Sequence, residues 1–527
     1  MAHDTQDEAQ ADEMNGAESL VRTLLASGVD TCFSNPGTSE MHFVAALDHV
    51  PGMRSVLTMF EGVATGAADG YYRMSRKPAC TLLHLGPGLA NGLANLHNAK
   101  KAGSGVLNIV GEHAASHVAL DAPLTSDIAG IAGPVSHWVH ASGSAADVGA
   151  DAARAVQASA TAPGQVATLI LPSDTAWTEG GGVAEALEAP APTCCEAETL
   201  AEARDMLDGP NSLLLLGGTA LTPEGLETAG RIAAKTGCAL LSEWSNARLE
   251  RGAGRVAIGR VPYPIDAALK VLEPFDRIVL VGARAPIGFF AYPGKPAVLT
   301  RDGARIVELA DAGMDLGGTL EALCASVDAT GSVPAHVAEP SRPDRAQGPV
   351  TPDSIATVLA RTLPENAIVV DESITTGRAF FPATAGAPPH TWLNNCGGSI
   401  GYGLPTAIGA AVACPNRRVL ALVGDGSAMY TVQAIWTMAR EALDITMVIF
   451  ANRSYQILRG ELTNVGVGNP GPRAIDMLSL DRPDLNWVEM ARSMGAEAVA
   501  VDTAEDLETA LENALSTKGP VLIEARM

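Results

Sequence analysis

Short runs in which nearly every residue is apolar alternate along most of this chain with longer stretches of three-to-four-residue apolar spacing. Val419–Val423 and Ile445–Ala451 are such runs. Between them Tyr430, Ala434, Ile435, Met438 and Ala439 keep helical spacing, which predicts a helix over Met429–Ala442. Continuous apolar strands flanking a helix indicate a parallel sheet covered on both faces. Strands are likewise predicted at Thr31–Phe33, Ser55–Met59, Cys80–His84, Val106–Val110, Ala167–Leu171, Ser212–Leu216, Arg277–Val281, Ile368–Val370 and Val521–Ala525, with a first helix marked by Ala17, Leu20, Val21, Leu24 and Leu25. The alternation predicts an α/β protein of three doubly wound parallel-sheet domains. Their boundaries fall at residues 15–180, 195–330 and 351–527, separated by Gly/Ala/Glu/Pro-rich Thr178–Thr193 and a Pro-rich stretch at 331–350. Residues 1–14 read as a flexible tail.

Composition narrows the function classes. A length of 527 residues suits three domains of roughly 150 residues each. The formal charge of −24 argues against a nucleic-acid or anionic-membrane partner. Eight scattered cysteines show no metal-ligand spacing, which predicts reduced thiols in a cytoplasmic protein. No uninterrupted apolar run approaches the ~18 residues of a membrane span.

Two motifs carry chemistry. Gly424-Asp425-Gly426-Ser427 closes one apolar run and Asn452-Arg453-Ser454-Tyr455 closes the next, 27 residues on, the length of one strand–helix–strand unit. Ligands of such sheets sit beyond the carboxyl ends of the strands. One carboxylate from Asp425, one amide oxygen from Asn452 and a backbone carbonyl near Ser454 suit Mg²⁺, which keeps water and phosphate oxygens as its other ligands. Gly426 permits close backbone approach, and the N-terminus of the following helix favours an anion. The plainer alternative is a strand-end turn with a capping aspartate.

The stretch GDGSAMY…FANRSYQIL resembles the diphosphate motif of thiamine diphosphate (ThDP) enzymes, especially benzoylformate decarboxylase and the acetolactate synthase large subunits. The resemblance runs from about Asn15 to Met527 and is weakest in the middle third. It implies pyrimidine-binding, middle and diphosphate-binding domains in that order, with ThDP and Mg²⁺ as cofactors. It also implies that Glu61, which follows a strand and opens a small-residue helix, is the activating acid. A carboxyl group at N1′ of the aminopyrimidine favours the tautomer that removes the C2 proton. Without the motif, Glu61 would be a first-turn glutamate stabilised by the helix dipole.

Other positions take their roles from the same resemblance. Asn35, Pro36, Gly37, Asn91, Thr375, Gly398, Tyr455, Gln456 and Ile457 are implied in cofactor binding, with Thr376 beside Thr375, and Ile400 is the apolar wedge behind the thiazolium. Thr38, Leu458 and Glu461 fall on the substrate side. His84 matches a catalytic histidine of benzoylformate decarboxylase, where acetolactate synthases usually carry a small hydroxyl residue. His113, with Glu112 and His117, is a further candidate at a strand end, and histidine is the natural proton shuttle near neutral pH. Two features pull away from an aryl substrate. Pro293 aligns with a second histidine of benzoylformate decarboxylase, and the segment Tyr455–Leu462 offers polar groups.

The middle third lacks a convincing flavin signature, which predicts no tightly bound FAD. The resemblance implies a homodimer at minimum and typically a homotetramer, with Glu61 of one subunit facing Asp425 and Asn452 of another. The expected activity is that of a 2-keto acid decarboxylase or carboligase; the alternatives are an acetolactate synthase and a non-catalytic ThDP-binding paralogue.

Overall fold

The computed structural model describes residues 14–527, so the tail expected at 1–14 lies outside the described residues except for Met14. Three sheets follow one another along the chain. Strands β1 (Thr31–Asn35), β2 (Arg54–Leu57), β3 (Ala79–Leu83), β4 (Val106–Glu112), β5 (Trp138–Ala141) and β6 (Val166–Pro172) form the first, in order β2-β1-β3-β4-β6-β5 and parallel throughout. The second uses β7 (Ser212–Leu216), β8 (Ala239–Ser242), β10 (Gly259–Arg260), β11 (Arg277–Val281) and β12 (Arg305–Ala310). The third contains β13 (Ile368–Glu372), β14 (His390–Asn394), β15 (Val419–Gly424), β16 (Ile445–Ala451), β17 (Glu497–Val501) and β18 (Val521–Arg526).

One strand departs from the expected pattern of purely parallel sheets. The short β9 (Leu249–Arg251) leaves the middle region and pairs antiparallel with β14 at the edge of the third sheet. A three-residue strand has too few positions to show a period, so sequence patterning passes it over. Trp138–Ala141 was also unpredicted, for a similar reason: it is an edge strand with half-exposed residues rather than a buried run. The helix expected over Met429–Ala442 is broken. It begins earlier, at Asp425–Ala428, passes through a 3₁₀ turn at Met429–Thr431 and resumes at Ala434–Arg440. Tyr430 is 53% exposed, so the first part of the supposed apolar stripe has no core to face.

Two helices weld the first and third sheets. Helix α1 (Glu61–Ser75) is buried almost end to end and crosses α3 (Gly403–Ala413), while α2 (Leu85–Ala102) packs beside α1. Glycine permits the crossing. A β-carbon on Gly409 would lie 1.9 Å from the Ala67 carbonyl oxygen, and one on Gly70 would lie 2.2 Å from that of Thr406. Mid-helix glycine ordinarily weakens a helix; here it is required by backbone-to-backbone approach. Gly409→Val is therefore expected to destabilise the protein by at least about 1–3 kcal/mol through overpacking, read as a lowered unfolding midpoint in urea.

At the same junction Asp69 and Arg73, one helical turn apart and both fully buried, pair through two 2.8 Å hydrogen bonds. Ser104 donates to Asp69. Arg73 also donates to the Asn394 carbonyl at 2.5 Å, the Ala247 carbonyl at 3.2 Å and the Tyr402 hydroxyl at 3.2 Å. Burial alone would lower the guanidinium pKa, but Asp69 and its other neighbours hold it above the ordinary arginine value. One cation thus ties together segments of all three sheet regions.

Candidate active site

Strands β15 and β16 are parallel neighbours, so Asp425 and Asn452 emerge at adjacent carboxyl ends. Asp425 is 3% exposed. Its Oδ1 accepts from the Gly426 amide at 2.8 Å and its Oδ2 from the Arg453 amide at 2.7 Å. The Asn452 side-chain oxygen accepts from the Ser454 amide at 3.0 Å. Burial raises the Asp425 pKa while those backbone amides oppose it. No side-chain cation pairs with this buried carboxylate among the described residues. A buried carboxylate held only by backbone donors fits a bound cation, and an amide oxygen beside it fits a hard one. No cluster of three His, Cys, Asp or Glu residues is placed to hold a metal among the described residues. A β-carbon on Gly426 would lie 2.5 Å from the Tyr455 ring, so this glycine is needed where Tyr455 folds over the motif. Ser427 is buried beside it.

The segment Gly398–Gly403 is clamped from two sides. The Glu372 carboxylate accepts from the amides of Gly401, Tyr402 and Gly403 at 2.8, 3.1 and 2.7 Å. Its burial outweighs those donors and pushes its pKa up to about 7. Asn95, on α2, donates to the carbonyls of both Gly62 and Gly401, and Asn98 donates to that of Ser399. Ile400 is held between these clamps and remains half-buried. Sequence reading passed over Glu372, Asn95 and Asn98, because an acid at a strand end and two asparagines in a helix have no local signal.

Glu61 sits at the first position of α1, 8% exposed. The Asn91 amide donates to its Oε2 at 3.0 Å, and a β-carbon on Gly88 would lie 3.2 Å from its Oε1. Next to it, His84 Nδ1 lies 2.8 Å from Glu40 Oε2. Glu40 is 3% exposed and also accepts from the Gly37 amide at 2.7 Å. Burial raises the Glu40 pKa, opposed by His84 and that amide. Glu40 was missed as a functional candidate because it reads as a turn residue; its partner lies 44 residues on. Gly37 is needed at the pair, since a β-carbon there would lie 2.3 Å from the His84 ring. Asn35 ends β1, Pro36 and Gly37 form the turn, and Thr38 opens a 3₁₀ turn in an exposed position.

His113 follows β4. Its Nε2 is buried without a partner, and its ring tilts against His117 at 5.4 Å. Glu112 caps the His113 amide. Thr375 is half-buried and Thr376 buried, after a strand that runs two residues further than expected, to Glu372. Gln456, Ile457, Leu458 and Glu461 lie on α4 (Gln456–Asn464), with Leu458 44% exposed. Three non-glycine residues adopt left-handed backbone at strand ends: Leu85 (φ 51°), Ile374 (φ 52°) and Arg453 (φ 55°). Such strain persists where surrounding structure fixes it and concentrates at functional sites.

The polar character expected of the Tyr455–Leu462 region is only part of the surroundings. The middle region brings Trp244, Tyr263, Phe289 and Phe290 together, with neighbouring ring centroids 4.7–5.5 Å apart. The Phe289 ring would lie 2.6 Å from a β-carbon on Gly398. Tyr292 stands near Tyr263 and Glu461; burial, then those neighbours, raise its pKa. These aromatics are spread over residues 244–292 and show no motif in sequence.

The fold and the strand-end constellation define a cofactor-dependent α/β enzyme, and the chain belongs to the thiamine pyrophosphate enzyme family. Its residues 14–131 match the "Thiamine pyrophosphate enzyme, N-terminal TPP binding domain" and residues 377–525 the "C-terminal TPP binding domain". The chain is 50% identical over 514 residues to the Mycobacterium tuberculosis protein named "Putative acetolactate synthase large subunit IlvX", covering 97% of this chain and 98% of that one. It is 31% identical over 529 residues to benzoylformate decarboxylase of Pseudomonas aeruginosa, covering 95% and 96%. Among solved structures, the ThDP-dependent 4-hydroxybenzoylformate decarboxylase of Rhodococcus jostii superimposes with a TM-score of 0.85 at 25% identity, covering 98% of this chain and 99% of that one. The chain is thus a ThDP-dependent enzyme.

Proposed function

We propose that this enzyme decarboxylates an aryl 2-keto acid and releases an aldehyde, with carboligation as a side route, using ThDP and Mg²⁺. The observation that carries the reading is His84 held through Nδ1 by the buried Glu40, which leaves Nε2 as the nitrogen for proton transfer. Asp425, Asn452 and the backbone at Ser454 hold the metal, while Gly426, Ser427, Thr375, Tyr455, Gln456 and Ile457 surround the diphosphate. ThDP, when bound, supplies the electron sink for breaking or making a carbon–carbon bond beside a carbonyl. Glu61 supplies the carboxyl group for proton exchange with the cofactor, and the Asn91 amide orients it. Ile400 and Gly398 shape the floor, and Asn35, Pro36 and Gly37 close the other side. His113 supplies a second imidazole through its unpartnered Nε2. Thr38, Leu458, Glu461 and the Phe289 cluster border the substrate. Family resemblance supports a site built from two subunits, hence a homodimer or homotetramer. Eight free cysteines suit a cytoplasmic setting.

The test is product analysis by mass spectrometry after incubating the loaded enzyme with phenyl-substituted 2-keto acids and with pyruvate. An aromatic aldehyde is expected from the former. A second reading, carboligation of pyruvate to acetolactate, is favoured by the 50% identical relative, and acetolactate as the sole product would establish it instead. Absence of both products overturns both readings. His84→Ala is expected to lower kcat by roughly 10²-fold. Glu40→Gln is expected to have a smaller effect on kcat while moving the acidic limb of its pH profile, because it alters only the group that orients the imidazole.

A further inference from the structure

A cleft of about 430 Å³ lies between the middle region and the third sheet, outside the site described above. It is lined by Leu249, Arg251 and Arg260 from the middle region and by Arg378, Phe381 and Pro382 from the third. Arg251 is 6% exposed. Its guanidinium donates to the Thr384 hydroxyl and to the Phe381 carbonyl, and it lies 3.7 Å from the Phe381 ring centroid and 5.1 Å from that of Trp392. Arg260 donates to the Asn394 side-chain oxygen at 2.9 Å and lies 5.0 Å from the Phe381 ring centroid. Arg378 is exposed at the cleft.

None of these three arginines pairs with a carboxylate among the described residues. Nearby Arg248 and Arg255 do, both with Glu250. The acid that acts on Arg251 and Arg260 from a distance is Asp371, and its own oxygens are taken by Ser373 and the Trp392 indole. Burial and then the charge of Arg260 push the Arg251 pKa down to about 9. His390 packs near Arg251 and is itself buried; burial, then the charge of Arg251, lower its pKa to about 4, so its ring is neutral and gives the arginine no counter-ion. A buried cation without a counter-ion is costly, and the buried Arg251 stands here beside two further unpaired arginines in a chain whose formal charge is −24.

We infer that this cleft is a binding site for a small organic anion, a carboxylate or phosphate ester with an apolar body. Guanidinium groups bind both anions through paired donors. The cleft's volume falls in the range of small-molecule sites, and Phe381, Leu249 and Pro382 offer apolar surface beside the charges. Inorganic phosphate would satisfy the arginines and leave that surface uncovered, so an organic anion fits better.

The experiment is calorimetric titration of the ThDP-saturated enzyme with phenyl phosphate, benzoate, inorganic phosphate and neutral benzyl alcohol. Saturable binding of phenyl phosphate or benzoate is expected, at least tenfold tighter than either control. Binding of phenyl phosphate alone marks a phosphate ester as the ligand class, and binding of benzoate alone marks a carboxylate. Arg260→Gln and Arg378→Gln, both on partly exposed residues, should each weaken that binding at least fivefold without altering the unliganded unfolding midpoint; Arg251 is left intact because its burial makes a variant prone to misfold. Binding that both variants retain in full lies elsewhere and overturns the proposal, as does the absence of saturable organic-anion binding.

Discussion

Glu61→Gln is expected to lower kcat by about 10²–10⁴-fold, the range for losing a positioned acid–base group, while changing ThDP affinity only a few-fold. Glutamine keeps the size and still accepts the Asn91 hydrogen bond seen at 3.0 Å. It cannot take up or release a proton. The position is well determined: Glu61 opens α1, Gly88 leaves space at its other oxygen, and α1 is fixed against α3 by glycine-mediated contacts. Steady-state kinetics with saturating cofactor, together with a ThDP titration followed by fluorescence quenching, separate the two effects. Unchanged kcat would remove Glu61 from its proposed role, and a loss explained wholly by cofactor affinity would make it a binding residue.

Arg73→Met is expected to be the most destabilising single change away from the site, by about 3–5 kcal/mol. It strands Asp69 as a buried, uncompensated charge and leaves the carbonyls of Asn394 and Ala247 without this donor. Replacing both partners, as Asp69→Leu with Arg73→Met, should recover part of the loss because the unpaired charge then disappears. Urea unfolding followed by circular dichroism gives the midpoints for the single and double variants. A single variant as stable as the parent would mean that the pair contributes nothing net.

Long buried strands were legible because their whole length is apolar. Ser212–Leu216, Arg277–Val281 and Ile445–Ala451 occur with the predicted bounds. The adjacency of Asp425 and Asn452 was legible because they lie one strand–helix–strand unit apart. Glu61 was singled out through the family resemblance, and its place at the start of a small-residue helix was legible from the sequence. What stayed hidden was set by tertiary contact. Glu40 acquires meaning only when β1 and β3 pair and bring His84 beside it. Glu372 matters because three amides of a loop about 30 residues later turn towards it. The aromatic cluster behind Gly398 assembles from turns with no periodicity, which is why the polar reading of that pocket was incomplete.

The antiparallel strand β9 bears on how the chain is made. Leu249 pairs with Trp392, so the two emerge from the ribosome 143 residues apart. At synthesis rates of ~5–20 residues per second, the earlier strand waits roughly 7–29 s for its partner. During that interval the apolar Leu249 and its unmatched backbone form an open edge, the kind of surface that invites wrong pairing. The arginines at 248, 251 and 255 flank that edge with charge. Charge beside an open strand edge disfavours wrong edge-to-edge pairing, before any of these arginines has found its place in the finished enzyme.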